Sequence, residues 1–106
     1  MRQSPPELTA EQRQLAMERS LEIRQARAML KESLTIGAIH LVDAWRMETA
    51  KGMRVINLLM ALPGIGHAKA EQLLHVAGIP ERTTVRACGP RQTKRLFEQL
   101  FPDNYA

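Results

Sequence analysis

The chain has 106 residues, 44% of them apolar but only 4% aromatic, with 15 Lys and Arg against 11 Asp and Glu for a net charge of +4. That length points to one domain with a core of Leu, Ile, Ala, Met and Val, which suits helices better than a β-sandwich. A single cysteine, Cys88, excludes an internal disulfide, no run approaches the roughly 20 apolar residues of a membrane span, and no signal peptide is evident, so a cytoplasmic protein is expected.

Residues 1–8, with Pro5 and Pro6, read as a flexible arm, and 9–103 as a single all-α domain. Thr9 followed by Gln12 has the form of a capping box, so a helix should begin near residue 10. No Gly or Pro interrupts the chain from Ala10 to Ile36, which makes this helix long. Ile23, Ala26, Leu30 and Leu34 fall on one stripe, and Leu15 and Met17 extend it. Arginines and glutamates alternate over the rest, as on a solvated face. The first half has few apolar positions and is expected to project beyond the core.

A compact bundle of about four helices should follow. Thr35 is a candidate N-cap for the second helix, with Ile36, Ile39, Val42 and Trp45 turned inward. The segment 47–52, METAKG, reads as a connection. A third helix spans about 53–62, with Val55, Leu58, Leu59 and Leu62 inside, and Pro63 stops it because the residue before a proline avoids the α region. The fourth starts near His67, carries Ala70, Leu73, Leu74 and Ala77 inward, and ends at Gly78. Residues 81–89 read as loop. Gly89-Pro90 opens a last helix with Leu96, Phe97, Leu100 and Phe101 as core contacts.

The stretch ALPGIGHAKAEQLL, 61–74, carries the chemistry. Gly64 and Gly66 permit backbone angles closed to other residues and leave no side chain between the backbone and a ligand. The following helix offers N–H groups with no intrahelical partner and a partial positive charge, which together favour an anion. Lys69 adds a full charge and His67 a donor. From Arg82 to Phe97 there are five basic residues (Arg82, Arg86, Arg91, Lys94, Arg95) and no acid, whereas residues 1–52 carry eight basic and seven acidic side chains. The target of such a field is a polyanion. A plain αα-hairpin with glycines chosen for packing is the bland alternative.

Competing chemistries fail on residues. A dinucleotide-binding glycine loop follows a strand, and this one follows a helix; a P-loop needs Gly-Lys-Ser/Thr. His40, His67 and His75 lack zinc spacing and Cys88 alone completes nothing, so neither metal nor cofactor is expected. DNA glycosylases with lyase activity use a similar hairpin with a lysine, but the matching position is Ala68, and no Asp lies between Asp43 and Asp103. The protein is therefore read as not an enzyme.

Three stretches, LTAEQRQLAMERS (8–20), KGMRVINLLMALPGIGHAKAEQLL (51–74) and GIPERTTVRACGPRQ (78–92), together resemble the actinobacterial integration host factors. These are small nucleoid-associated proteins built on a helix-two-turn-helix. The resemblance implies a monomer that binds double-stranded DNA with little sequence preference and bends or compacts it. It places Gly64, Gly66 and Lys69 in the phosphate-binding turn, and Arg86 at the basic position before the family's Gly-x-Gly. Two arginines usual in the family are replaced by Thr83 and Thr84, which keep hydroxyl donors but bring no charge, and His67 stands where a lysine is common. Arg82, Arg91, Lys94 and Arg95 are candidates to compensate. The first helix, through Arg19, Arg24, Arg27 and Lys31, is a candidate lid. Structured RNA, or a protein partner after loss of DNA binding, are the alternative targets.

Overall fold

The computed structural model describes residues 9–105, so the arm assigned to 1–8 lies outside the described residues. The chain forms α1 (Ala10–Thr35), α2 (Leu41–Trp45), α3 (Glu48–Lys51), α4 (Val55–Ala61), α5 (His67–Ala77), α6 (Pro90–Leu100) and α7 (Pro102–Tyr105), with no strand among the described residues. The expected all-α class and the long first helix are both present.

Helix α1 starts where its cap dictates. Thr9 Oγ1 accepts from the Gln12 N–H at 3.1 Å, and Gln12 Oε1 accepts from the Thr9 N–H at 2.9 Å. Its first sixteen residues are exposed, and only Leu30 and Leu34 are buried. At 1.5 Å per residue the helix is about 39 Å long, and the molecule measures 58 × 35 × 23 Å. Most helical stability in proteins comes from tertiary packing, which this exposed half lacks. The capping box therefore matters most for the half that nothing covers.

The next segment departs from the sequence reading. Thr35 ends α1 rather than capping α2; its Oγ1 lies 2.9 Å from the Lys31 carbonyl oxygen and 2.6 Å from that of Ala61. Gly37 has φ +76°, which reverses the chain and breaks the expected continuous helix. Ile36 is consequently exposed, not inward. The N-cap of α2 is His40, whose Nδ1 accepts from the Val42 N–H at 3.1 Å. The METAKG connection contains a helical turn, α3, and Ala50 on it is fully buried. Helix α7 was not anticipated.

The core is aliphatic. Leu34 from α1, Leu41 from α2, Leu58 and Leu59 from α4, and Leu96 from α6 are all fully buried. Each contributes about 1.5–3 kcal/mol of hydrophobic free energy. The few aromatics cluster at one edge: Trp45 meets Phe97 edge-on with centroids 5.1 Å apart, and Phe101 packs on both Phe97 and the His40 ring. Helix α5 lies between α4 and α6, while the second half of α1 packs on α3 and α4. Gln92 joins α5 to α6: its Nε2 donates to the Gly78 carbonyl at 2.7 Å and its Oε1 accepts from the Gly89 N–H at 2.9 Å.

Candidate nucleic-acid interface

The turn between α4 and α5 is open. Gly64 has φ +76°, in the left-handed region, while Gly66 caps α5 with ordinary extended angles, φ −87° and ψ 179°. The sequence reading gave both glycines a conformational reason; only Gly64 has one. Packing gives no reason for Gly66 either: a Cβ on either glycine would meet nothing within 4 Å, so the space beside the turn is open. The first bond of α5 runs from the Ala70 N–H to the Gly66 carbonyl at 3.0 Å, and no side chain caps the helix. The N–H groups of His67, Ala68 and Lys69 thus point out of the helix start with no intrahelical acceptor. Lys69 and Arg82 are exposed and pair with no carboxylate among the described residues.

His67 is less available. Its Nδ1 lies 3.2 Å from Glu71 Oε1 and its Nε2 3.5 Å from Glu81 Oε1. These three residues, all exposed, bring one ligand atom each within 4.8 Å of one another, the one such group of metal-ligand type among the described residues. The arrangement places two carboxylates at the lip of the turn.

The loop after α5, residues 78–89, is tied back to the chain ahead of α4. Its backbone pairs with the segment before α4: Val55 N–H donates to the Thr83 carbonyl, Val85 N–H to that of Met53, and Arg86 N–H to that of Lys51, at 3.0, 3.0 and 3.1 Å. Arg54 and Thr84 form an isolated antiparallel bridge. Val85 is buried and anchors the loop. Thr83 and Thr84 are partly buried, and Thr84 Oγ1 accepts from the Ala87 N–H at 3.3 Å, so one hydroxyl already serves the loop.

This pairing exposes a residue that sequence reasoning missed. Arg54, the N-cap of α4, stands beside Thr84 and lines a shallow cleft with Arg24, Arg27 and Lys31 of α1. No acid lines that cleft. Gly52 makes room for it, since a Cβ there would sit 2.7 Å from Arg27 Nη2. The sequence held a signal only in hindsight: Arg54 belongs to the conspicuous GMRV stretch, but its neighbours are thirty residues away.

Arg91, Lys94 and Arg95 are not brought to the turn. They share one face of α6. Helix α6 runs antiparallel to α5, with Gln92 against Gly78 and the Gln99 Nε2 donating to the Leu73 carbonyl at 3.0 Å. The start of α6 therefore lies at the far end of α5 from the turn, about 16 Å away for a helix of eleven residues.

Cys88 and Trp45 are packing residues. Burial pushes the Cys88 thiol up, a hydrogen bond from Thr93 Oγ1 at 3.3 Å opposes the shift, and Trp45 is half-buried against Phe97.

Residues 30–100 match the family model described as the S13-like H2TH domain. The integration host factors of Mycolicibacterium smegmatis and Mycobacterium tuberculosis are each 39% identical over 99 residues, covering 90% of this chain and 94% of theirs. The chain belongs to the integration host factor family. The Streptomyces coelicolor member is 34% identical, with 90% and 92% covered. A solved structure of sIHF bound to an 8 bp palindromic DNA superposes with a TM-score of 0.67 at 26% identity, covering 84% of this chain and 99% of that one. No helix of the described residues is long and apolar enough to cross a membrane.

Proposed function

We propose that this chain binds double-stranded DNA with little sequence preference, through phosphate contacts, and bends or compacts it as a non-catalytic nucleoid component of the cytoplasm. The observation that carries the reading is the uncapped start of α5. Three N–H groups without intrahelical acceptors open beside Gly64 and Gly66, with nothing of the protein filling the space a Cβ would take. A relative's complex with DNA supports the choice of ligand.

In this reading the amides of the 64–67 turn hold one phosphate, with Lys69 and His67 beside it. Arg82, Thr83, Thr84 and Arg86 follow the backbone along the loop, joined by Arg54. Arg91, Lys94 and Arg95 form a separate contact, and a duplex touching both patches must curve around α5. The basic side of α1 closes over the duplex as a lid. One copy of the chain suffices for these contacts, so binding as a monomer is proposed.

The test is fluorescence anisotropy with a duplex of scrambled sequence at low salt. Wild type binds, and Lys69→Glu plus Arg86→Glu loses binding while its thermal unfolding is unchanged. Equal binding by both proteins refutes the site and favours a protein-interaction role. Because structured RNA offers the same phosphate chemistry, duplex RNA of equal length serves as competitor. Preferential displacement by RNA would make structured RNA the target.

A further inference from the structure

Arg86 is held by one of the protein's own carboxylates. Its Nη2 lies 3.4 Å from Glu48 Oε1, and the other oxygen of Glu48 lies 3.1 Å from Lys51 Nζ. The base of the Arg86 side chain is fixed beside α3 by the bond from its N–H to the Lys51 carbonyl. Glu48 is the first residue of α3, so the helix places its carboxylate at this spot. Both side chains are largely solvent-exposed, 69% for Arg86 and 79% for Glu48. An exposed pair of this kind adds little to folding stability. Its chemistry toward DNA is different, because a carboxylate offers a guanidinium the same kind of charged oxygen acceptor as a phosphate.

Resting on the DNA-binding reading above, we propose that Glu48 is an internal competitor for the phosphate at Arg86: DNA binding exchanges the Glu48 carboxylate for a backbone phosphate, and Glu48 thereby lowers both affinity and salt sensitivity. Lys69 and Arg82 carry no such partner, so the turn engages DNA first and Arg86 joins only when a phosphate displaces Glu48. Retention of Arg86 by Glu48 acts toward weak and readily reversed binding.

A nearby acid provides the control. Glu22 of α1 lines the same cleft as Glu48 and Arg86 but pairs with no cation among the described residues. Glu22→Gln removes the same charge from the same place without releasing Arg86. The experiment measures the affinity of the full chain for a short duplex over a salt series, for Glu48→Gln, Glu22→Gln, Arg86→Gln and the Glu48→Gln plus Arg86→Gln double variant. Glu48→Gln should tighten binding by about two- to fivefold, since it frees Arg86 from an exposed pair, while Lys51, freed as well, has no place among the proposed contacts. It should also steepen the dependence of log K on log salt, by less than the roughly 0.9 of a whole phosphate contact, because Arg86 reaches its phosphate in both proteins and the variant removes only the cation uptake of the released Glu48. The gain should vanish when Arg86 is Gln, and Glu22→Gln should give much less. Equal gains from Glu22→Gln and Glu48→Gln, or a gain that survives loss of Arg86, overturn the exchange and reduce it to general charge. Wild type that binds DNA with an unaltered Glu48→Gln variant overturns the exchange alone. Wild type that binds no duplex at low salt overturns the DNA-binding reading and this one with it.

Discussion

Gly64 and Gly66 flank the same turn for different reasons: Gly64 sits at φ +76°, where only glycine is comfortable, and Gly66 at φ −87°, where any residue fits. The two positions therefore separate folding from binding. Gly64→Ala forces a side chain into the left-handed region and should cost about 1–2 kcal/mol. Gly66→Ala meets no neighbouring atom within 4 Å and should cost less than about 1 kcal/mol as a cap change. In the proposed complex its Cβ would stand in the path of the phosphate. The expected outcome is a lowered Tm for Gly64→Ala, and for Gly66→Ala a near-native Tm with weakened DNA binding. Full DNA affinity in folded Gly66→Ala would show that no phosphate approaches this turn.

Salt titration counts the contacts. Five phosphate pairs from Lys69, Arg82, Arg86, Lys94 and Arg95 would give a slope of log K against log salt of about −4.5, and Lys69 with Arg86 alone about −2. An intermediate slope is expected here, because the α6 cations stand apart from the turn. Replacing Lys69 by Ala should flatten it by about 0.9. A slope indistinguishable from zero would refute phosphate binding altogether.

The outer half of α1 depends on its cap. Thr9→Ala removes the hydrogen bond to the Gln12 N–H and should cost the helix about 1 kcal/mol. Residues 10–25 contact no core, so the loss should appear as reduced helical circular dichroism at 222 nm, with little change in the cooperative unfolding of the bundle. A large fall in Tm would mean that the first half of α1 is packed after all.

The inner half behaves oppositely. Leu34 is 1% exposed, between α1 and the bundle. Leu34→Ala should destabilise the fold by about 2–5 kcal/mol in chemical denaturation.

Cys88 supplies a pH signature. Burial raises its thiol above the usual value of 9.0, so the neutral thiol is favoured in the folded chain. Its contribution to stability is complete below that usual value and is lost as pH rises through the raised one. Thiol alkylation near neutral pH should accordingly be slower than for a free cysteine and should accelerate on unfolding.

The sequence by itself determined what is local. The capping box at Thr9, the unbroken run through α1, the stop at Pro63, the glycine turn and the Gly78 end all act within one or two turns of chain, where sterics and hydrogen bonding leave few choices. A helix through Val42 and Trp45 was legible, but the start of α2 and the turn α3 were not, because the apolar residues of so short a helix repeat too few times to fix its bounds, and because Gly37 can sit in a helix or reverse the chain. Tertiary structure alone decided where the cations went. Pairing of 51–55 with 83–86 brought Arg54 to Thr84 and Arg86 to Glu48, while the antiparallel packing of α6 on α5 carried Arg91, Lys94 and Arg95 away from the turn. Solvated charges show no periodicity that reports their neighbours, so their grouping is set by the buried residues, Val85 and Leu96 among them, that fix the segments carrying them.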